Sequence, residues 1–430
     1  MRANMRATLL IENANQIVTS NRSRFEFFKT KGMGELLVQE NGAVAVNGEQ
    51  IIAVGSTEAV RAQIEMTPTT QILDARGKTI TPGLVDPHTH PVFFGTREHE
   101  FELRVQGKSY QEIAQAGGGI RSSVRSLRQA SQSELVAAVL PRMQTFLENG
   151  TTTIEAKSGY GLSLEDEIKS LKVIQEVNRR QPVDLVATFL GAHEVPDEYR
   201  GHRDAYIQLV TQKMLPAVAK EGLAEFCDIF CEEGVFSPDE ARVILSAGKK
   251  LGLRPKIHAN QLSASGGVQV AAEVGAISAE HLDHVTAEEI ECLRAAGVIP
   301  VLLPSAVFYL NLERFAPARA MIAAGLPIAL STDYNPGTSF TESMPLVMTL
   351  ACIKLHITPA EALIAATMNA AMAIDREHQI GSLEPGKLAD IVIWNVPNYL
   401  HLAYHFGVAL AETVVKRGIV VYKKSPLLFD

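Results

Sequence analysis

The sequence predicts an α/β chain built on a (β/α)8 TIM-type barrel, with a small β-domain to which both chain ends contribute. Three observations carry that expectation. From residue 81 to residue 380, short apolar or β-branched runs alternate with longer stretches that have helical caps and a helical apolar period, the pattern of a parallel βα fold. Residues 1–80 and 381–430 have another texture, brief strand-like runs cut by turn formers. Imidazole and carboxylate side chains recur where the barrel strands end, at His88, His90, His258, His281 and Asp333.

In chain order, Thr8–Ile11, Ala43–Val46, Ile51–Val54 and Gln71–Leu73 read as short strands rather than helices, separated by Asn47-Gly48 and Gly55-Ser56. The first barrel strand lies within Thr81–Pro91 and leads into His88 and His90. A long loop containing Gly117–Gly119 follows. Ser133 then starts a helix that Asn149-Gly150 stops, with Pro141 as an internal kink. Thr151–Lys157 is the second strand. Its helix has Ser163 as N-cap, acids at Glu165 and Asp166, an apolar stripe through Ile168, Leu171 and Ile174, and Arg179-Arg180 at the C-terminal end, each placement suiting the helix dipole or the core.

Leu185–Leu190 and Ala224–Phe230 are strands three and four. Ser237-Pro238 opens the next helix and Gly252 closes it. Arg254–His258 and Ala276–His281 are strands five and six. Thr286 with Glu289 forms a capping box, and Val298–Leu303 and Pro327–Asp333 complete the eight strands. Near the C-terminus, Gly386–Trp394 and Glu412–Tyr422 are strand-like again, with Arg417-Gly418 as a hairpin turn.

Composition excludes several function classes. An apolar content of 46% and a charged content of 20% over 430 residues describe a globular chain with a large core. A formal net charge of −8, with no long basic run, argues against an electrostatic grip on nucleic acid or an anionic membrane surface. No stretch approaches a membrane-spanning apolar length, and the start of the chain lacks the apolar core of a signal peptide. Cys227, Cys231, Cys292 and Cys352 lack zinc-finger spacing and read as reduced thiols, so the expected location is the cytoplasm, with either Met1 or Met5 as start.

The chemistry is concentrated in Thr81–Pro91, Thr-Pro-Gly-Leu-Val-Asp-Pro-His-Thr-His-Pro. Residues i and i+2 of a strand share a face, so both imidazoles turn toward one cavity as half of a metal site. This stretch resembles the strand that opens the barrel of the amidohydrolase superfamily, metal hydrolases on a (β/α)8 scaffold that commonly carry a composite β-sandwich. The resemblance implies domains 1–80 and 381–430 as the two parts of that β-sandwich around the barrel at 81–380. It also implies His88, His90, His258 and Asp333 as ligands of one divalent metal per chain, zinc or iron. Such a metal acidifies bound water and polarises a carbonyl. Two-metal members place a carboxylated lysine at the end of strand four. This chain has Cys231, Glu232 and Glu233 there, which favours one metal while leaving a bridging glutamate open. Lys157, on strand two, reads as a structural or substrate-side cation.

The likeness extends over nearly the whole chain, through Asp86–Phe93, Glu155–Gly161, Gly191–Pro196, His258–Leu262, Ser278–His281, Ser331–Thr338 and Tyr404–Gly407. It narrows to the branch of the superfamily that hydrolyses the ring amide of 4-imidazolone-5-propanoate to N-formimidoyl-L-glutamate in histidine degradation. That branch implies Arg97, Tyr160, His193, Gln261, Asn335, Gly337 and Thr338 as substrate-binding residues, with Arg97 as a planar fork for the propanoate carboxylate. Some members have glutamate where this chain has Gln261, and an amide carries no proton to shuttle. Base chemistry therefore falls to His281 or Asp333. Two other readings stay open: a sister hydrolase or deaminase acting on another cyclic amide or amidine, and a metal-free scaffold that merely keeps the barrel. The expected partner is a small molecule, and a homodimer is compatible with the sequence.

Overall fold

The computed structural model describes residues 5–20, 33, 35–108, 112–113 and 117–425. The outermost residues of the 1–80 and 381–430 segments, Met1 included, and residues 21–32 and 34 lie outside that set. Among the described residues the strands are β1 (Met5–Arg6), β2 (Leu9–Thr19), β3 (Leu37–Asn47), β4 (Gln50–Ser56), β5 (Ile64–Glu65), β6 (Gln71–Asp74), β7 (Thr79–Pro82), β8 (Leu84–Asp86), β9 (Thr151–Lys157), β10 (Asp184–Ala192), β11 (Phe226–Cys231), β12 (Arg254–Ala259), β13 (Ser278–His281), β14 (Ile299–Leu302), β15 (Ala329–Leu330), β16 (Ile391–Trp394), β17 (Ala411–Lys416) and β18 (Ile419–Lys423).

Strands β8 to β15 pair in chain order, every pair parallel, which is the succession of a (β/α)8 barrel. The sheet closes past the strand ends: Thr89 bridges to Tyr334 in parallel, and the His90 amide donates to the Tyr334 carbonyl at 2.8 Å. Helices follow where the caps direct them. Ser163 accepts from the Asp166 amide ahead of Leu164–Arg180, and capping boxes at Ser237/Glu240 and Thr286/Glu289 open Pro238–Lys250 and Ala287–Ala296. Helix faces and strands share one continuous apolar core.

Both chain ends meet in a second, mixed sheet of order β18-β17-β16-β7-β2-β3-β4, with β6 beside β2. The seam is the antiparallel pair β7–β16, in which Pro82 faces Ile391 and Thr79 faces Trp394. The β-sandwich thus takes the form of one mixed sheet, and side chains from both of its halves, including Ile11, Val46, Ile391 and Val415, pack into one core. Arg417 and Gly418, with φ of 48° and 77°, make the tight β17–β18 turn. Trp394 joins this sheet to the barrel. Its indole donates to Thr81 at 2.8 Å, and it packs so closely on Gly150 that a Cβ there would come within 2.3 Å of the ring. Lys416 adds an ion pair to Asp184 at the start of β10, at 2.8 Å.

Several expectations need correction. Residues 7–80 are not all strand: Thr57–Gln63 is a helix capped by Ser56 and anchored by Val60. The stretch expected as a long loop after the first barrel strand contains helices Glu98–Val105 and Ile120–Gln129. The helix assigned to a start at Ser133 is capped two residues earlier, by Ser131 with Glu134, and Pro141 lies inside it. Thr81 and Pro82 pair with β16 in the mixed sheet, and the first barrel strand is short.

Candidate active site

The paired part of β8 ends at Asp86, whose buried carboxylate fastens two barrel strands together. Thr332 donates to it from its hydroxyl at 2.5 Å and its amide at 3.2 Å, and the Ser331 hydroxyl also bonds to it. Burial pushes Asp86 up to about 6, against the pull of these donors. The consequence is positional: the residues after β8 and those after β15 leave the barrel side by side, which delivers His88, His90 and Asp333 to one place. His88 Nε2 and His90 Nε2 lie 3.3 Å apart, and Asp333 Oδ1 lies 3.4 Å from the first and 3.6 Å from the second. Two donors bound at about 2.1 Å to one tetrahedral centre are themselves about 3.4 Å apart. The triangle therefore has the edges of a metal-binding face.

The His258 ring is 4.4 Å from that of His88, and a second set of His88, His258 and His281 brings nitrogens within 4.8 Å of one another. His88, His258, His281 and Asp333 are all at least nine-tenths buried. Both ring nitrogens of His258, together with His88 Nδ1, His90 Nδ1 and His281 Nδ1, have no hydrogen-bond partner among the described residues, which a buried imidazole does not sustain cheaply. Such nitrogens suit metal ligands or donors to a bound molecule. Burial holds His88, His90 and His281 well below the ordinary histidine range, so they are neutral, the form that binds metal. Burial also pushes Asp333 up to about 7, with His258 pulling the other way. His281 and Asp333 have φ of 70° and 51°, uncommon for residues with a side chain and held here by the strand ends.

The cluster lies in a cavity of about 860 Å³ lined in part by His90, Arg97, Tyr160, His193, Gln261, His281, Asp333, Asn335 and Thr338. His193 stacks on His90 with ring centroids 5.1 Å apart, and its Nδ1 is 3.0 Å from the Gly159 carbonyl. A carbonyl only accepts, so Nδ1 carries the hydrogen and Nε2 is left as an acceptor. Burial brings His193 down to about 3, so it stays neutral. Arg97 is buried and donates twice to Glu100, at 2.9 and 2.6 Å, while its guanidinium lies over Gly337, where a Cβ would come within 2.0 Å of it.

Asn335 works inside its own loop. Its carbonyl accepts from the Gly337 and Thr338 amides at 2.8 and 2.7 Å, and its NH2 donates to the Asp333 carbonyl at 2.6 Å and to Thr338 at 2.7 Å. Gly337 gives its carbonyl to Arg104 at 2.7 Å. Gln261 is half-buried at the wall. Tyr404–Gly407 contributes nothing to the lining, and Tyr404 is exposed.

Sequence reasoning missed two features. One wall of the cavity, with Phe101, Arg104 and Tyr309, comes partly from a helix read as loop. Beneath the cluster, Glu155, Lys157, Asp228, Lys256 and Glu280 form a fully buried set of charges in the barrel interior. Their signal was present: Glu155/Lys157 and Lys256/His258 repeat with period two along their strands, which turns both members of each pair to one face. Lys157 is thus an interior cation, bonded to Asp228 at 2.7 Å and Glu155 at 2.9 Å. Glu232 accepts from the Leu262 amide at 2.9 Å and from the Ser263 hydroxyl, and it is in none of the described residue sets that could hold a metal.

Comparison with known proteins agrees with this geometry. Residues 79–421 match the model of the amidohydrolase family. An imidazolonepropionase of Geobacillus kaustophilus is 51% identical, covering 96% of this chain and 97% of its own. One from Fusobacterium nucleatum is 47% identical over 98% of this chain and 100% of its own. Among solved structures, Escherichia coli guanine deaminase superposes with a TM-score of 0.74 at 17% identity, covering 97% of this chain and 100% of that one. A triazine hydrolase variant gives 0.74 at 17% over 98% and 96%. These two likenesses concern the fold alone. A barrel that gathers buried histidines and an aspartate at its strand ends, matched over nearly full length at about half identity, belongs to the amidohydrolase family and, within it, to the imidazolonepropionases.

Proposed function

We propose that this chain hydrolyses the ring C–N bond of 4-imidazolone-5-propanoate to give N-formimidoyl-L-glutamate, a step of histidine degradation. The observation that carries the reading is the juxtaposition, in one cavity, of a His88–His90–Asp333 triangle with 3.3–3.6 Å edges and a buried arginine, Arg97. A five-membered lactam with a carboxylate tail needs water activation at one end and an anion site at the other. His88, His90, His258 and Asp333 would hold one divalent metal, zinc or iron, which supplies water acidification and carbonyl polarisation when bound.

The chain's own residues supply the rest. Asp333, whose carboxylate lies 3.4 and 3.6 Å from His88 and His90, takes the proton of the attacking water and delivers it to the departing ring nitrogen. Neutral His281 donates an N–H to the oxygen on which charge develops. His193, with Nε2 as acceptor, receives a ring N–H, and Tyr160 and Gln261 offer further hydrogen bonds from the wall. Arg97, held by Glu100, faces the propanoate. Thr338 lines the same wall, and Asn335 and Gly337 shape the loop that carries it and would hold the product with Tyr160. Among the described residues no helix is long and apolar enough to cross a membrane. The free thiols Cys227, Cys231, Cys292 and Cys352 suit a reducing cytoplasmic setting.

The test is to add purified, metal-analysed protein to the imidazolone and follow its ultraviolet absorbance together with formation of the formimidoyl product. Decay of the ring signal with stoichiometric product is expected. Turnover of cyclic amides or amidines that lack the propanoate, with none of this substrate, would transfer the reading to a sister hydrolase or deaminase.

A further inference from the structure

The fully buried charges below the cluster form a connected series. Lys157 Nζ is 2.7 Å from Asp228 and 2.9 Å from Glu155; Lys256 Nζ is 3.1 Å from Glu155 and 3.5 Å from Glu280; and Asp228 Oδ2 is 3.0 Å from His258 Nδ1. Asp228, His258 and Glu280 bring their polar atoms within 4.8 Å of one another, as a second metal site would. The space already has its cations, since Lys157 bonds Asp228 and Lys256 pairs with Glu280. Thr188 and Ser278 donate to Glu155 and Glu280, both at 2.5 Å, and Lys256 reaches the Pro87 carbonyl at 3.2 Å. The interior of such a barrel is ordinarily filled by branched apolar residues, so this many charges needs a reason.

The series ends on one side of one ring. His258 has two nitrogens, and a carboxylate can only accept. A carboxylate beside Nδ1 therefore favours the tautomer with its hydrogen on Nδ1 and its lone pair on Nε2. The Nδ1–Oδ2 approach is close, at 3.0 Å, but oblique. We propose that Asp228, pinned by Lys157, is a positioning residue that sets the tautomer and orientation of His258, so that Nε2 is presented to the cluster formed by His88, His90 and Asp333. Lys157 and Lys256 take the place of a second ion and leave room for a single one. This inference rests on the metal-binding reading above.

The test uses full-length protein and reads metal affinity, by competition with a chromophoric chelator for zinc, and the visible spectrum of the cobalt-loaded protein. Asp228→Asn keeps the shape and removes the charge. Losses of about 10- to 100-fold in zinc affinity are expected on removing such a partner, with an altered cobalt spectrum and unchanged far-ultraviolet circular dichroism. In a His258→Ala background, Asp228→Asn should cause no further loss, which separates an effect through His258 from general loosening of the barrel. Should Asp228→Asn fail to fold, the double replacement Lys157→Met with Asp228→Leu removes the buried pair together and is expected to show the same loss. Wild-type affinity and spectrum in a folded Asp228 variant, or an equal loss with and without His258, overturns the proposal. Wild-type protein that binds no zinc or cobalt overturns the metal reading itself.

Discussion

Replacing Arg97 by alanine does more than delete a contact. Arg97 and Glu100 form a pair with two N–H donors on one carboxylate oxygen, and the side chains are only 5% and 13% exposed. Without the guanidinium, the Glu100 carboxylate loses both of its bonds to Arg97 and keeps its charge behind the cavity wall, so under the role proposed for Arg97 the end that should attract the propanoate repels it. Truncating one member of a desolvated charge pair costs about 2–5 kcal/mol, which corresponds to roughly a 30- to 4,000-fold loss in kcat/KM. The loss should sit mainly in KM, because the clamp is remote from the bond that breaks. Glu100 also accepts from the Gly119 amide at 3.0 Å, and glutamine can keep that bond. The double variant Arg97→Ala/Glu100→Gln should therefore recover part of the loss, and Arg97→Lys should recover little, since a point charge cannot replace the fork. Steady-state kinetics on the four proteins decide the matter. Values of kcat/KM within threefold of wild type for Arg97→Ala, or no gain on adding Glu100→Gln, would refute the reasoning.

Elemental analysis of active protein should find about one divalent metal per chain, and chelation should abolish turnover while circular dichroism keeps the helical signal; two metals at full activity would contradict this. With metal content matched, Gln261→Ala should cost about 1–3 kcal/mol of positioning, whereas His281→Ala and Asp333→Ala should lose about 10²- to 10⁴-fold or more in kcat; equal inactivity of all three would remove the division of labour. In metal-free protein burial pushes Asp333 up to about 7, so the folded chain binds that proton more tightly than the unfolded chain does. The stability this group contributes is present at the acidic end and is lost as pH rises from about 4 to about 7. Asp86, pushed up to about 6, acts in the same direction; urea midpoints of metal-free Asp333→Asn should therefore fall less steeply over this window than those of wild type, and identical slopes would reject the assignment.

The barrel and the histidine and aspartate residues gathered at its strand ends were legible because their signals are local. Caps such as Ser163, Ser237 and Thr286 act within one helical turn, and the apolar runs of β10 and β14 need only their own residues to be recognised. His88 and His90 are two residues apart, so one backbone geometry turns both to the same side. The helices that escaped notice lack those signals. Glu98–Val105 has Arg97 at its N-cap with no side-chain cap bond and no buried residue, and Ile120–Gln129 starts from Gly119 with no side-chain cap bond. Ser131 and Glu134 did offer capping-box spacing, two residues ahead of the serine chosen.

By itself the chain determined the alternation of strands and helices, the composite nature of the second sheet, and the residue types available for metal and substrate. Tertiary structure alone decided what those residues meet. That the Arg97 guanidinium lies over Gly337, and that Lys157 bonds Asp228 beneath His258 rather than facing substrate, depend on distances between residues far apart in sequence. The physical reason is the sheet register. Closing the barrel through Thr89 and Tyr334 sets which side chains of eight strands share a layer, and no single strand contains that information.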